Sequence, residues 1–147
     1  MTVLPRDSVW ADRPHPDPGE EVLAEFPADP AAYWRGHLRL AVLGGAAAGL
    51  GLMAIGNPHP WVGPVATLPA ILGRAAFLKS EALAGHWILT RQRLLGPGGR
   101  VVPLTAIRSI RPFFGDAMIV TITGDKHLMK YMAYPSAVIA TIERARP

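Results

Sequence analysis

From Leu40 to Gly73 the chain runs 34 residues without an Asp, Glu, Lys or Arg. A membrane-crossing helix needs about 20 apolar residues, so this run is too long for one span and suits two short ones. Asn57-Pro58-His59-Pro60 interrupts it in the middle. Both prolines lack an N–H, and each turns the residue before it away from helical geometry. The expectation is a helical hairpin in a membrane, and the rest of the chain is read as what that hairpin anchors.

The first span is expected over roughly Gly36 to Ile55 and the second over roughly Trp61 to Leu78. Gly44 and Ala48, like Gly45 and Gly49, lie four apart on the first span, forming a small-residue face that lets another helix approach closely. Tyr33, Trp34 and Trp61 flank the spans as headgroup-level anchors. Arg35 and Arg39 precede the first span, Arg74 and Lys79 close the second, and the connecting loop carries no Lys or Arg. The positive-inside rule then places both termini in the cytoplasm, with these four cations reaching lipid phosphates.

Charge divides the 147 residues sharply. Met1 to Pro30 carries two Arg against seven carboxylates, a net charge of −5, and the remainder carries +9. The first 30 residues also hold Pro5, Pro14, Pro16, Pro18, Pro27 and Pro30, which forbid a long helix. They read as an acidic cytoplasmic tail without a signal peptide's apolar core, ordered only by a partner or by the basic body. Trp10 and Phe26 are its apolar anchors. Glu21 to Phe26 suits a short strand or a turn of helix. With Asp29 as N-cap and Pro30 in the first turn, a helix starts there. Arg outnumbers Lys twelve to three and Ala, Gly and Pro are abundant, a composition of high-GC bacterial genomes. In a bacterium the location is the inner membrane. The absence of Cys excludes disulfides and thiolate metal sites.

The expected division is 1–30 tail, 31–79 transmembrane hairpin and 80–147 cytoplasmic domain. The last reads as β-rich. His86 to Thr90 is a strand that Arg91 to Leu95 continues or pairs with, Gly96-Pro97-Gly98-Gly99 is a turn, and Val101 to Leu104 is extended. Ile107 and Ile110, three apart, suit a helical turn as well as a strand. Ala117 to Thr123 is rich in β-branched residues, Gly124-Asp125 turns, and Lys126 to Met132 pairs back. Pro135 opens an amphipathic helix with Val138, Ile139, Ile142 and Ala145 on one face. This is a small α+β module.

Four pieces, in order, carry a resemblance: Ile88-Leu89-Thr90-Arg91-Gln92-Arg93-Leu94-Leu95, Pro103-Leu104-Thr105-Ala106-Ile107-Arg108-Ser109-Ile110, an apolar hairpin, and Pro135 to Ile142. The chain from about 18 to 145 resembles bacterial pleckstrin-homology-like membrane proteins. In these, an "LT-x-x-R-L" strand pair, a "P-L-x-x-I-x-x-I" segment, a two-stranded turn and a closing helix commonly follow two transmembrane helices. Pro18-Gly19-Glu20-Glu21-Val22-Leu23 is similar to their "P-x-E-E-x-L" lead-in. The resemblance implies an antiparallel, partly open barrel capped by a C-terminal helix. The few residues between Ile110 and Ala117 leave room for a barrel short of one strand. It also implies a class of role, since members include an assembly factor of bacterial photosynthetic complexes. By the same analogy Arg91, Arg93, Arg100, Arg108, Arg111, Lys126 and Lys130 form a basic set, with Arg91 and Arg93 expected on lipid phosphate.

No catalytic constellation stands out. The serines lack a Gly-x-Ser-x-Gly elbow, Gly96 to Gly99 lacks a phosphate-loop lysine, and the five histidines make no i, i+3 or i, i+4 pair. His37 and His59 read as interface histidines rather than haem ligands. Basic and aromatic residues are not interleaved as nucleic-acid binding requires. The expectation is a non-enzymatic accessory or assembly subunit of a larger bacterial inner-membrane complex, photosynthetic or respiratory, without cofactor, metal or nucleic acid. Its partners are that integral membrane complex and anionic phospholipid. The alternative is a stand-alone membrane-anchored module contacting anionic lipid.

Overall fold

A computed structural model describes residues 14–147. The chain forms two compact units: Pro30–Ser80, and a second that joins the residues up to Asp29 to Glu81–Pro147.

Pro30–Ser80 is a helix pair. α1 (Pro30–Ala54) begins at the expected proline, and α2 (Val62–Ala82) follows the turn around Asn57 to Pro60. At 1.5 Å per residue, α1 is about 37 Å long. It is the one helix among the described residues that is long and apolar enough to cross a membrane. Only 11% of its apolar window is buried. Leu40, Val42, Leu43, Leu50, Met53 and Val65 all point outward. α2 is shorter, holds Pro69 internally, and carries Arg74, Lys79 and Glu81 in its second half.

The second unit is an α+β module. β1 (Val22–Pro27), β2 (His86–Thr90), β3 (Arg93–Gly96) and β4 (Arg100–Pro103) form an antiparallel sheet in that order. β5 (Ile107–Phe113), β6 (Asp116–Thr121) and β7 (Lys126–Met129) form a second. α3 (Pro135–Ala145) follows β7 and packs on β5 and β6. Alternation drives the sheets: Ala117, Ile119 and Thr121 of β6 point inward while Met118 and Val120 are half-buried. Trp87, Leu89, Leu94, Val102, Ile107, Ile110, Ile119 and Met129 form one core with Val138 and Ile142 of α3. Gly96 abuts the Trp87 ring so closely that a Cβ there would lie 2.5 Å from it.

Two expectations change here. The acidic stretch is not a separate tail over its described length, because Val22 to Pro27 is the first strand, with Phe26 opposite Trp87 and packed on the core. Phe26 is therefore a strand residue, not an anchor draped on a surface. Among the described residues the module also has seven strands, the first of them supplied from before the helix pair.

Candidate functional site

Glu20 and Arg93 are 73 residues apart and anchor a polar cluster of the module. Arg93 Nε and Nη2 donate to the two carboxylate oxygens of Glu20, each at 2.9 Å. Nη2 also donates to Asp17 Oδ2 at 2.7 Å, and the Thr90 hydroxyl donates to Glu20 Oε1 at 2.7 Å. The turn through Pro18-Gly19 is closed by Glu20 N–H on the Asp17 carbonyl and by Asp17 N–H on Glu20 Oε2, both 2.9 Å. Gly19 supplies the left-handed residue the turn needs, at φ 86°. The Arg93 guanidinium, with help from the Asp17 N–H and the Thr90 hydroxyl, holds the Glu20 carboxyl down at about 2. Next to it, the Arg91 guanidinium grips Glu21 through Nε and Nη2 and lowers that carboxyl too.

This corrects the expected roles of Arg91 and Arg93. Both guanidiniums pair with carboxylates of the lead-in, Arg93 mostly covered and Arg91 still 66% exposed. The bidentate geometry explains why arginine and not lysine serves at Arg93. The "P-x-E-E" and "L-T-x-x-R" pieces are thus two halves of one clasp, fixing β1 against the β2–β3 turn.

In the helix pair, Gly44, Gly45 and Gly49 face α2. A Cβ at Gly45 would lie 3.2 Å from Pro64 Cα, one at Gly44 3.3 Å from Thr67 and Ile71, and one at Gly49 3.4 Å from Pro64 and the Pro60 carbonyl. The closest approach comes from a residue the sequence reading passed over. A Cβ on Gly63 would sit 2.6 Å from Gly49 N and 2.7 Å from the carbonyl carbon of Ala48. Backbone meets backbone there, and only glycine permits it. The signal was available: Gly63 is the sole glycine in the first turn of α2.

At the other end of the pair, Tyr33 is 1% exposed and its hydroxyl donates to the Ala75 carbonyl at 2.7 Å. Tyr33 is therefore not an interfacial anchor. A phenol on an apolar seam needs an acceptor, and a carbonyl of the partner helix supplies it. Its ring packs at a tilt against His37, whose Nδ1–H donates to the Tyr33 carbonyl at 2.9 Å. Trp34 is half-buried with Lys79 Nζ 6.0 Å from its ring, and Trp61 is 60% exposed. Arg35, Arg39, Arg74 and Lys79 all lie on the outside of the pair. Trp10 lies outside the described residues.

One end of the α+β module gathers its remaining chemistry. Pro27 pairs with His86, and Ala28 N–H donates to the Gly85 carbonyl at 3.1 Å, so the chain leaves toward α1 and returns from α2 at neighbouring points. Asp29 N–H donates to the Tyr131 carbonyl at 2.7 Å, and Tyr131 N–H to Asp116 Oδ1 at 2.9 Å. Burial pushes the Asp116 carboxyl up, against the Tyr131 N–H and the nearby Lys130. A cavity of about 250 Å³ opens at this end, walled by Trp87, Pro97, Leu128 and Tyr131, with Arg100 and Lys130 at its rim beside Glu81. Two cations against one carboxylate make it attractive to an anion. Among the described residues no three His, Cys, Asp or Glu are grouped to hold a metal ion. Compared with family models, with curated proteins and with solved structures, the chain has no match.

Proposed function

We propose that this chain is a non-enzymatic, membrane-anchored accessory subunit of a larger bacterial inner-membrane complex. α1 and α2 lie in the bilayer, both termini are cytoplasmic, and the α+β module is pleckstrin-homology-like. The observation that carries the reading is the inverted surface of the helix pair: small residues and Tyr33 inside, Leu, Val, Met and Phe77 outside. A water-soluble hairpin would turn those side chains inward, whereas lipid or partner helices solvate them at no cost. Four- and three-stranded antiparallel sheets closed by a C-terminal helix support the pleckstrin-homology-like reading of the module.

The glycine seam is used within the pair, so it no longer argues for a partner helix. What favours a partner is a second small pair, Ala47 and Gly51, four apart and exposed, with open space at Gly51. The stand-alone lipid-contacting reading draws on Arg100 and Lys130 at the cavity rim. Reporter fusions test the membrane reading. A reporter active only outside the cytoplasm is expected to be silent after Pro147 and active at Pro58, and the reverse pattern would sink it. Isolation of the tagged chain in mild detergent then decides between the roles. A stoichiometric larger partner supports the accessory subunit, and a monomer or self-oligomer supports the lipid module.

A further inference from the structure

The β5–β6 connection is Phe113-Phe114-Gly115-Asp116, with Phe113 paired to Asp116. Both central residues are left-handed, Phe114 at φ 46° and Gly115 at φ 87°. This tight two-residue turn is normally built with Asn-Gly or Asp-Gly, because short polar side chains tolerate that backbone. A bulky aromatic there is strained. The module offers the ring little in return. Phe114 is 94% exposed and meets Phe113 edge to face, centroids 4.8 Å apart, and Phe113 is itself 42% exposed. A strained, exposed aromatic on a hairpin tip asks for a contact outside the module.

The tip's position says what that contact is. Asp116 holds Tyr131 N–H, and the Tyr131 carbonyl holds Asp29 N–H, one residue before α1. Tyr134, 75% exposed, lies just beyond β7 at the same end, with Lys130 and Arg100 nearby along the cavity rim. Exposed aromatic rings at the end of the module that also holds Lys130 and Asp29, the residue before α1, match the chemistry of an anionic bilayer interface. We propose that Phe113 and Phe114 insert into the headgroup–acyl boundary of the membrane that holds α1, as a second attachment point for the module. Lys130 and Arg100 then meet lipid phosphate. The inference rests on the membrane reading of α1 given above.

The chain has no cysteine, so single-cysteine labelling is clean. The full-length protein in nanodiscs containing about 30% anionic lipid carries an environment-sensitive fluorophore at one of three positions. Phe114→Cys tests the tip and Leu43→Cys tests the outward face of α1. Ile122→Cys is a control on the loop after β6, at the opposite end of the strand from the tip. Lipids bearing a quencher near the headgroup–acyl boundary, or deeper for position 43, are the probe. The expected result is quenching at 114 and at 43, each at least about twofold above 122, with the signal at 114 weaker in neutral lipid.

Quenching at 43 but not at 114, with water-like emission, overturns the tip and leaves the membrane reading intact. Blue-shifted emission at 114 without lipid quenching also overturns it, in favour of a protein contact. No quenching at 43 overturns both. As a check on folding, Phe114→Asn suits the turn and is expected to keep or raise the module's melting temperature. A fluorophore on Tyr134→Cys is expected to be quenched by lipid with Phe114 in place and not in the Phe114→Asn variant.

Discussion

At the scale of single residues, the Glu20–Arg93 clasp makes a directional prediction about pH. The Glu20 carboxyl titrates at about 2 in the folded chain against an ordinary 4.5, so folding favours its ionised form. The clasp's contribution is therefore complete above about pH 4.5 and is lost as pH falls toward 2, and Glu21, also lowered, adds in the same sense. Asp116 runs the other way, since burial raises it and its ionisation opposes folding. Glu20→Gln keeps the shape and removes the charge. It is expected to lower the melting temperature at pH 7 and to flatten the acid limb of stability between pH 5 and 2. Thermal melts across that range check it, and an unchanged acid limb would show that other carboxylates govern it. This clasp also marks where sequence reading stops. Both halves were visible as motifs, but an ion pair between positions 20 and 93 leaves no local pattern. Arg91 and Arg93 accordingly looked like free cations on strand faces.

At the scale of elements, legibility followed locality. The Pro58–Pro60 break, the β-branched run in β6 and the apolar face of α3 are encoded within a few residues, and each element formed where its pattern lay. Val22 to Pro27 was ambiguous for the opposite reason. Its strand character comes from pairing with His86 to Thr90, while the nearby prolines and carboxylates suggest an irregular tail. Gly63 meets its partners, Ala48 and Gly49, on the other helix, so spacing along a single helix does not mark it.

The seam yields a graded prediction. Gly63→Ala forces α2 off the α1 backbone and is expected to cost about 1–3 kcal/mol, the range for overpacking. Gly49→Ala meets only ordinary contacts and is expected to be nearly silent, while Gly49→Leu is expected to part the helices. Thermal stability of the three variants in one detergent checks the order. Equal effects at 63 and 49 would show that the helices do not cross at Gly63.

At the scale of the whole chain, the helix pair is an insertion between two neighbouring strands. Residues 80–147 by themselves carry the last six strands and lack the first, exposing the edge of β2 with Trp87 and Leu89 beside it. Such a fragment is expected to aggregate. A version in which residues 30–80 are replaced by a short Gly/Ser loop restores β1 and is expected to be soluble and cooperatively folded. Size-exclusion chromatography and melting of the two check this, and a monodisperse 80–147 fragment would show that β1 is dispensable.

The same insertion sets an order of events during synthesis. β1 leaves the ribosome first, yet its partner β2 follows only after the 58 residues between Pro27 and His86. At roughly 5–20 residues per second the strand waits several seconds unpaired. Glu20, Glu21 and Glu25 keep it hydrated and self-repelling meanwhile. With α1 and α2 in a bilayer as proposed, β1 and β2 meet only if the second helix brings the chain back to the side it left. A chain whose second helix fails to return strands the two halves of the sheet on opposite faces of the membrane, with the Glu20–Arg93 clasp unmade. Closure of the sheet is then a built-in inspection of membrane topology: misinserted chains stay open, and open chains are what quality-control proteases remove.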